Sequence, residues 1–279
     1  MKPTAILLSF LTSASLLPAA VIGSWNMDEA SGNLLDSTGT LPAGTATGTP
    51  TYGTAGVPNG TYGSITVTNA GGTSLDYGPS TLDEFFTVGA SNDNAVLNIL
   101  GSGSFTVMSW INPNAPVVPT AATYRPISTG SAAGADRGWG FGLRLNNAAG
   151  TGSAIRFTSY GVADNDSSLF NVTFGDWIHI AATYNNGSIS YFLNGNALDS
   201  DTSVFGVKGT ANRLTIGSRL GGADADQVSG RLDGLQVYNT VLTAAEIQAA
   251  AAGAVSVPET GASVLTFFAA LGMLTKRRR

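Results

Sequence analysis

The chain has 279 residues, of which 36 are glycine, 11% are charged and none is cysteine. This composition suits one large domain of many short strands and turns, and it excludes disulfides and thiolate metal sites. Five of the thirteen basic residues lie at the two ends, so the remaining chain holds eight basic against eighteen acidic residues and should repel the phosphate backbone of nucleic acids.

The first twenty residues predict a secretory signal peptide. Lys2 precedes an apolar run from Ala5 to Leu17, and small residues follow at positions 19 and 20. A buried N-terminal helix is the alternative, but strand-like sequence begins immediately at Val21. We therefore assign residues 1–20 to export and begin the folded domain at residue 21.

Short strands and long loops are predicted over the first half of the domain. Alternation of apolar residues and β-branched content indicate strands at residues 21–27, 104–111, 125–129 and 138–145. Residues 36–80 are rich in Gly, Thr, Pro and Asn, and we interpret residues 36–98 as long loops with short edge strands. The paired carboxylates of Asp28 and Glu29 after the first strand could be catalytic, but such residues more often cap turns.

Several polar residues of the middle segment are candidates for binding. Arg144 and Arg156 are expected to point away from the apolar face of their strands, where a guanidinium either stacks on a sugar or lies along the surface. Two predicted loops carry Asp-x-Asp pairs: Asp164 with Asp166, and Asp224 with Asp226. Because calcium prefers clustered carboxylate oxygens, these four residues are the candidate calcium ligands, although the same pattern is common in turns.

Residues 174–200 predict a β-meander. Two strand-like runs, 174–184 and 188–193, are each followed by an Asn-Gly pair, and this pair tolerates the positive φ of tight hairpin turns. Alternate residues of the first run point to opposite faces, and both faces are largely apolar. We therefore expect a central strand that is covered on both sides, as in a sandwich.

A short helix is predicted after the last strand. Thr243 and Glu246 form a capping box, in which each side chain can bond the backbone amide of the other. The apolar helix over residues 244–252 should stop at Gly253 and pack across the sandwich.

The end of the chain has three parts. Val257, Pro258, Glu259 and Thr260 precede an apolar run over residues 262–274, and four cations follow at 276–279. This tail resembles the PEP-CTERM signal that exosortase-type proteases remove during export, with Thr260 in place of the second proline. It also resembles the sortase signal Leu-Pro-x-Thr-Gly, with Val257 in place of leucine. Either resemblance implies transient membrane anchoring of residues 254–279 and a processing enzyme as partner.

Four blocks of sequence carry a resemblance to a known family. Residues 103–111, 175–195, 214–217 and 230–247 resemble, in order, the segments "F-T-i-s-x-W-v", "W-x-H-v-A … y-v-N-G", "l-x-I-G" and "G-x-i-D-x-v-r-v-y-n … L-s-x-x-E-I" of laminin-G-like domains. These domains belong to the concanavalin A-like lectin and glucanase superfamily. The resemblance implies an all-β, two-sheet antiparallel jelly-roll sandwich over residues 21–253, and a calcium ion at a sheet rim in many members.

Catalytic signatures are missing from the sequence. The superfamily's glucanases use an E-x-D-x-x-E strand, and none of the four glutamates lies in that pattern. His179 is the only histidine, and its place inside a strand favours a packed, hydrogen-bonded ring over a catalytic base. We therefore expect a protein that is not an enzyme.

These observations predict an exported protein of the cell surface or extracellular matrix. Its jelly-roll domain is expected to bind carbohydrate or another extracellular protein, because sugars offer hydroxyls for hydrogen bonds and C–H faces for stacking. A purely structural matrix protein is one alternative. A divergent polysaccharide-active enzyme is another, and it would place two carboxylates within about 5 to 10 Å of each other in a cleft.

Overall fold

A computed structural model describes residues 20–68, 71–79, 84–89, 96, 99, 103–116, 122–130, 137–202, 213–219 and 226–254. Apart from one residue each, the predicted signal peptide (1–20) and sorting tail (254–279) lie outside these ranges, as does Asp224. In the described part of the chain, no helix is both long and apolar enough to span a bilayer.

The described residues include seventeen strands and one helix. In chain order they are β1 (Val21–Trp25), β2 (Gly44–Thr47), β3 (Thr51–Ala55), β4 (Gly60–Tyr62), β5 (Ile65–Val67), β6 (Thr73–Asp76), β7 (Phe85–Val88), β8 (Ser104–Pro113), β9 (Ala122–Gly130), β10 (Arg137–Leu145), β11 (Ala154–Ser159), β12 (Ala163–Asp166), β13 (Ile178–Asn185), β14 (Ser188–Leu193), β15 (Asn196–Thr202), β16 (Leu214–Ile216), β17 (Gly230–Tyr238) and α1 (Ala244–Ala254).

Two large antiparallel sheets stack face to face. The first has the order β15-β14-β13-β8-β17-β6-β3, with β1 also paired to β17, and the second has the order β12-β11-β10-β9-β16-β7-β2. A third, two-stranded sheet joins β4 and β5. The predicted all-β sandwich is therefore confirmed.

The predicted meander is β13, β14 and β15. Asn186 and Asn194 adopt positive φ angles of 44° and 51° at the two turns, where Asn and Gly are the residues that tolerate them. Ile180 and Ala182 of β13 face the second sheet, whereas Ala181 packs with Ile247 of α1 on the other side. The central strand is thus covered on both faces, as the sequence predicts.

Aromatic side chains fill the space between the sheets. Phe105 of β8 packs on Phe157 of β11 with ring centroids 5.2 Å apart, and Phe157 stacks on Trp139 of β10 at 5.6 Å. All three side chains are completely buried. These contacts fix β10 and β11 with one face inward, and so determine which residues of these two strands face outward.

Helix α1 and the β4-β5 hairpin cover the outer face of the first sheet. The indole of Trp110 donates a hydrogen bond to the carbonyl of Ala251 at 3.0 Å, which joins β8 to the helix. The capping box is present, since the amide of Thr243 donates to Glu246 at 2.7 Å and the amide of Glu246 donates to the Thr243 hydroxyl at 3.3 Å. The predicted terminal helix therefore forms and packs as expected, but the predicted stop at Gly253 is wrong, since the helix continues through Gly253 to Ala254.

His179 lies under this cover. Its ring meets the edge of Trp110 with centroids 5.1 Å apart and is completely buried. Packing is as the sequence predicts, but the expected hydrogen bonds are not formed, since neither ring nitrogen has a partner among the described residues. Burial lowers the pKa of His179 to about 3, so the ring is neutral in the folded protein.

This buried ring predicts a loss of stability in acid. Unfolded histidine has a pKa of about 6.5, so below that pH the unfolded state binds the proton that the folded state refuses. Between about pH 7 and about pH 5, His179 should remove about 2 kcal/mol from the free energy of unfolding. Urea denaturation at both pH values measures this loss, and His179→Gln should show a smaller one. Equal losses in the two proteins would show that His179 is not the cause of the loss of stability in acid.

Candidate functional site

A polar groove of about 450 Å³ lies on the face of the second sheet that points away from the core. On β9 and β11, Tyr124 and Phe157 point inward, so their neighbours Arg125 and Thr158 point outward. The groove, called here the arginine groove, is lined by Thr123, Arg125, Arg156, Thr158, Ser159, Tyr160, Gly161, Val162, Ala163, Asp164, Arg219 and Asp226.

Glycines on the outer face of β10 make room for the groove. Strand β10 lies between β9 and β11, and Gly140 pairs with Ser128 on one side and Thr158 on the other. A Cβ atom at Gly140 would lie 2.6 Å from the Tyr160 hydroxyl and 2.9 Å from Nη1 of Arg125. Both side chains therefore depend on the missing Cβ to lie over this strand.

Arg125 crosses β10 and joins the two neighbouring strands. Its Nη1 donates to the hydroxyl of Thr158 at 3.2 Å, and that hydroxyl donates to Asp164 at 2.7 Å. Its Nε donates to Asp226 at 3.2 Å. Only 4% of the Arg125 side chain is exposed, so its guanidinium is held in place by hydrogen bonds that solvent cannot easily replace.

Three further arginines complete the charge network. Arg156 makes a two-bonded contact with Asp166 at 2.6 and 2.8 Å and a single bond with Asp164 at 3.0 Å. Its hydrogen bond to Asp166 raises the pKa of Arg156, against the opposing effect of burial. Arg144 pairs with Asp166 at 3.4 Å, and Arg219 pairs with Asp226 at 2.8 Å. The network thus contains four guanidinium groups and three carboxylates, so it carries a net charge of one positive unit.

Tyr160 forms one wall of the groove. The guanidinium groups of Arg125 and Arg219 lie over its ring, 5.4 and 5.8 Å from the centroid. Its hydroxyl shares a hydrogen bond of 2.7 Å with Ser128. Burial raises the pKa of Tyr160, so the phenol is neutral and serves as a surface on which two cations are oriented.

The sequence-predicted calcium ligands have different partners in the structure. Asp164, Asp166 and Asp226 do come together in or beside the arginine groove, but each accepts hydrogen bonds from an arginine. Among the described residues, no group of three or more acidic, histidine or cysteine side chains could hold a metal ion. This arrangement does not fit a calcium ion. Asp224 and the sorting residues Val257, Pro258, Glu259 and Thr260 lie outside the described residues.

Sequence reasoning missed three members of the site: Arg125, Tyr160 and Arg219. Arg125 contacts Thr158 and Asp226, which are 33 and 101 positions away, and Tyr160 contacts Ser128, which is 32 positions away, so no local pattern reveals these contacts. One usable signal was the run of residues 138–142, where glycine alternates with Trp139 and Phe141. A strand with aromatic residues on one face and bare backbone on the other predicts a channel on the bare face.

A second groove of about 440 Å³ lies beside the first sheet. It contains Tyr62 and Trp177, but Arg231 lies 5.3 Å above the indole ring and covers that aromatic face. The open aromatic surface expected of a sugar-stacking site is therefore occupied by an arginine of the protein itself.

Comparison with models of protein families identifies the family of this chain. The model of the family Laminin_G_3, described as the concanavalin A-like lectin/glucanases superfamily, matches residues 87–248. The match covers more than half of the chain, which therefore belongs to this family. A comparison with curated protein sequences gave no match.

Solved structures show the same fold at low identity. Domain 4 of AbnA, a GH43 extracellular arabinanase of Geobacillus stearothermophilus in complex with arabinotriose, is 19% identical with a TM-score of 0.51, over 84% of this chain and 98% of that one. Trypanosoma rangeli sialidase in complex with sialic acid is 15% identical with a TM-score of 0.51, over 82% of this chain and 32% of the sialidase. The botulinum neurotoxin serotype D binding domain is 13% identical with a TM-score of 0.52, over 82% of this chain and 50% of that one.

Proposed function

We propose that this is a non-catalytic protein of the cell surface or extracellular matrix that binds carbohydrate in the arginine groove. The observation that carries the proposal is the set of guanidinium and carboxylate groups already fixed there by one another and by Thr158. A sugar hydroxyl both donates and accepts hydrogen bonds, so neighbouring hydroxyls match neighbouring acidic and basic groups. Groups ordered before binding lose little entropy when the ligand arrives.

Two further observations support a carbohydrate ligand. The groove lies on the outer face of a sheet, where rigid strands rather than loops hold Arg125, Arg156 and Thr158. The fold is shared with the arabinanase domain in complex with arabinotriose and with the sialidase in complex with sialic acid. At these identities the likeness concerns the fold alone, so the proposal of carbohydrate binding depends on the residues of the groove itself.

We propose that the protein is not an enzyme because the carboxylates in the groove are already paired with arginines. Glycoside hydrolysis uses one carboxylic acid to protonate the leaving group and a second carboxylate as nucleophile or base. In the groove, Asp164 and Asp226 both accept hydrogen bonds from arginines, so their oxygens are engaged in binding cations. His179 is neutral, buried and outside the groove.

Export is proposed from the two ends of the sequence. We expect residues 1–20 to be removed by signal peptidase and the tail over 254–279 to be cut by an exosortase-type enzyme, with a sortase as the alternative. The intact mass of the protein recovered from outside the producing cell should therefore lack both ends. Recovery of the external protein with its four terminal cations would contradict this part of the proposal.

Blocking the groove should weaken glycan binding. Val162 lines the groove and is 40% exposed, so Val162→Trp fills the space without removing any ion pair. Leu169→Trp is the matched control, because Leu169 is 63% exposed and lies outside the groove. On a glycan array with neutral and acidic sugars, Val162→Trp should weaken binding at least about tenfold, or about 1.4 kcal/mol, and the control should not.

Three outcomes would contradict the proposal. If the unaltered protein binds no glycan, the carbohydrate function fails and the purely structural alternative replaces it. If glycan binds equally well to the Val162→Trp protein, the ligand lies elsewhere on the surface. Release of reducing sugar from a bound polysaccharide would show instead that the protein is an enzyme.

A further inference from the structure

Helix α1 runs along β8. In front of the helix, the amide of Leu242 donates to the hydroxyl of Thr106 at 2.9 Å. Near its end, the indole of Trp110 donates to the carbonyl of Ala251 at 3.0 Å. The two strand residues are four positions apart, which is about 13 Å, and about nine residues of helix span nearly the same length. The helix therefore points toward the C-terminal end of β8.

The second groove, called here the tryptophan groove, lies where the helix ends. Arg231 lines this groove and pairs with Asn112 near the C-terminal end of β8. Ala251 packs in one apolar cluster with Trp177, another lining residue. Ala254, the last described residue, is only 4% exposed, so the chain still lies against the domain there. The residues that follow it therefore start beside the groove.

The tryptophan groove offers apolar surface and a cation without a counter-charge. Pro58 is exposed and Tyr62 is half-buried, so both present apolar surface to a ligand. Arg231 lies over Trp177 and donates to the carbonyl of Ala55 at 3.0 Å. Among the described residues it forms no ion pair, whereas each arginine of the arginine groove has a carboxylate partner.

The sequence after the helix matches this groove in chemistry and length. Residues 255–260 lie outside the described residues and have the sequence Val-Ser-Val-Pro-Glu-Thr. Pro258 fixes its own φ and favours an extended conformation at Val257, so the segment loses little entropy on binding. Glu259 supplies a carboxylate five positions after Ala254, which is about 17 Å of extended chain. This length is enough to cross a groove of about 440 Å³.

We propose that residues 255–260 of the same chain bind in the tryptophan groove, where Glu259 forms an ion pair with Arg231. The apolar residues before Glu259 then lie on Tyr62. The segment also brings two hydroxyl groups for the exposed carboxylate of Asp176, which lines the same groove. Because the tether to the helix is short, the effective concentration of the segment is high and weak contacts suffice to hold it.

Binding of this segment would orient the domain. The tryptophan groove lies beside the outer face of the first sheet, whereas the arginine groove lies on the outer face of the second. In the proposed export, the apolar run over residues 262–274 follows the segment and anchors it at the membrane. A bound segment would then turn the first sheet toward the membrane and leave the arginine groove facing away from it. This orientation rests on the proposed export, but the binding of the segment does not.

The test uses the full chain in detergent micelles, and the absence of native cysteine allows a pair of thiols to be introduced. Ala55→Cys with Thr260→Cys places one thiol in the groove and one at the end of the segment. Asn196→Cys with Thr260→Cys is the matched control: Asn196 is exposed, lies outside the groove and follows Gly195, whose carbonyl accepts a hydrogen bond from Gln248 of α1 at 2.9 Å. Mass spectrometry of the oxidised chain should show a disulfide that forms at least about tenfold faster in the first pair than in the control.

Charge reversal tests the ion pair. In the chain with the first cysteine pair, Glu259→Lys should slow disulfide formation at least about threefold, because two cations then meet in the groove. Arg231→Glu should slow it for the corresponding reason. Combining the two reversals restores opposite charges, so the double variant should recover most of the original rate.

Three results would overturn the proposal. Equal rates in the two cysteine pairs would show that the segment does not prefer the groove. A disulfide between two chains would show that the groove receives the segment of a second copy. An unchanged rate in Glu259→Lys would also refute the proposal, and this variant decides the matter even if Arg231→Glu does not fold, because it alters no residue of the described fold. No glycan is present, so these results are independent of the function proposed for the arginine groove.

Discussion

The hydrogen bond from Arg125 across β10 to Thr158 is the contact on which the outer face of the second sheet depends. It joins two strands that are not neighbours, and it is possible only because Gly140 leaves the intervening strand bare. Through Thr158 it reaches Asp164, and through its own Nε it reaches Asp226. Buried charges tolerate little rearrangement, because loss of one partner leaves the other uncompensated. The result is a groove with fixed polar groups.

Strand β10 shows how one stretch of sequence serves two purposes. Trp139 and Phe141 face inward and pack in the core, whereas the glycines between them face outward and open the groove. A single strand thus contributes one face to the core and the other face to the groove. The missing side chain of Gly140 creates the space of the groove, and the surrounding arginine and aspartate side chains define its chemistry.

Local features of the fold were predictable from the sequence, whereas the sites were not. The Asn-Gly turns around β14 and the capping box of α1 depend on residues within four positions of one another, so the pattern identifies them. Asp226 lies 101 positions from Arg125, and their contact depends on which strands become neighbours. The Asp-x-Asp pairs suggested calcium, but in the structure Arg156 of the neighbouring strand β11 engages Asp164 and Asp166, and Arg125 of β9 engages Asp226.

Gly140→Ala tests this account most directly, with Gly253→Ala in α1 as its control. An added methyl group at Gly140 meets Tyr160 and Arg125, whereas one at Gly253 meets nothing within 4 Å. Urea denaturation of both variants measures the change in the free energy of unfolding. The account predicts a loss of about 1 to 3 kcal/mol for Gly140→Ala, and no loss or a gain of up to about 1 kcal/mol for Gly253→Ala. If Gly140→Ala is as harmless as the control, Arg125 and Tyr160 are not held over β10 and the groove described here does not exist.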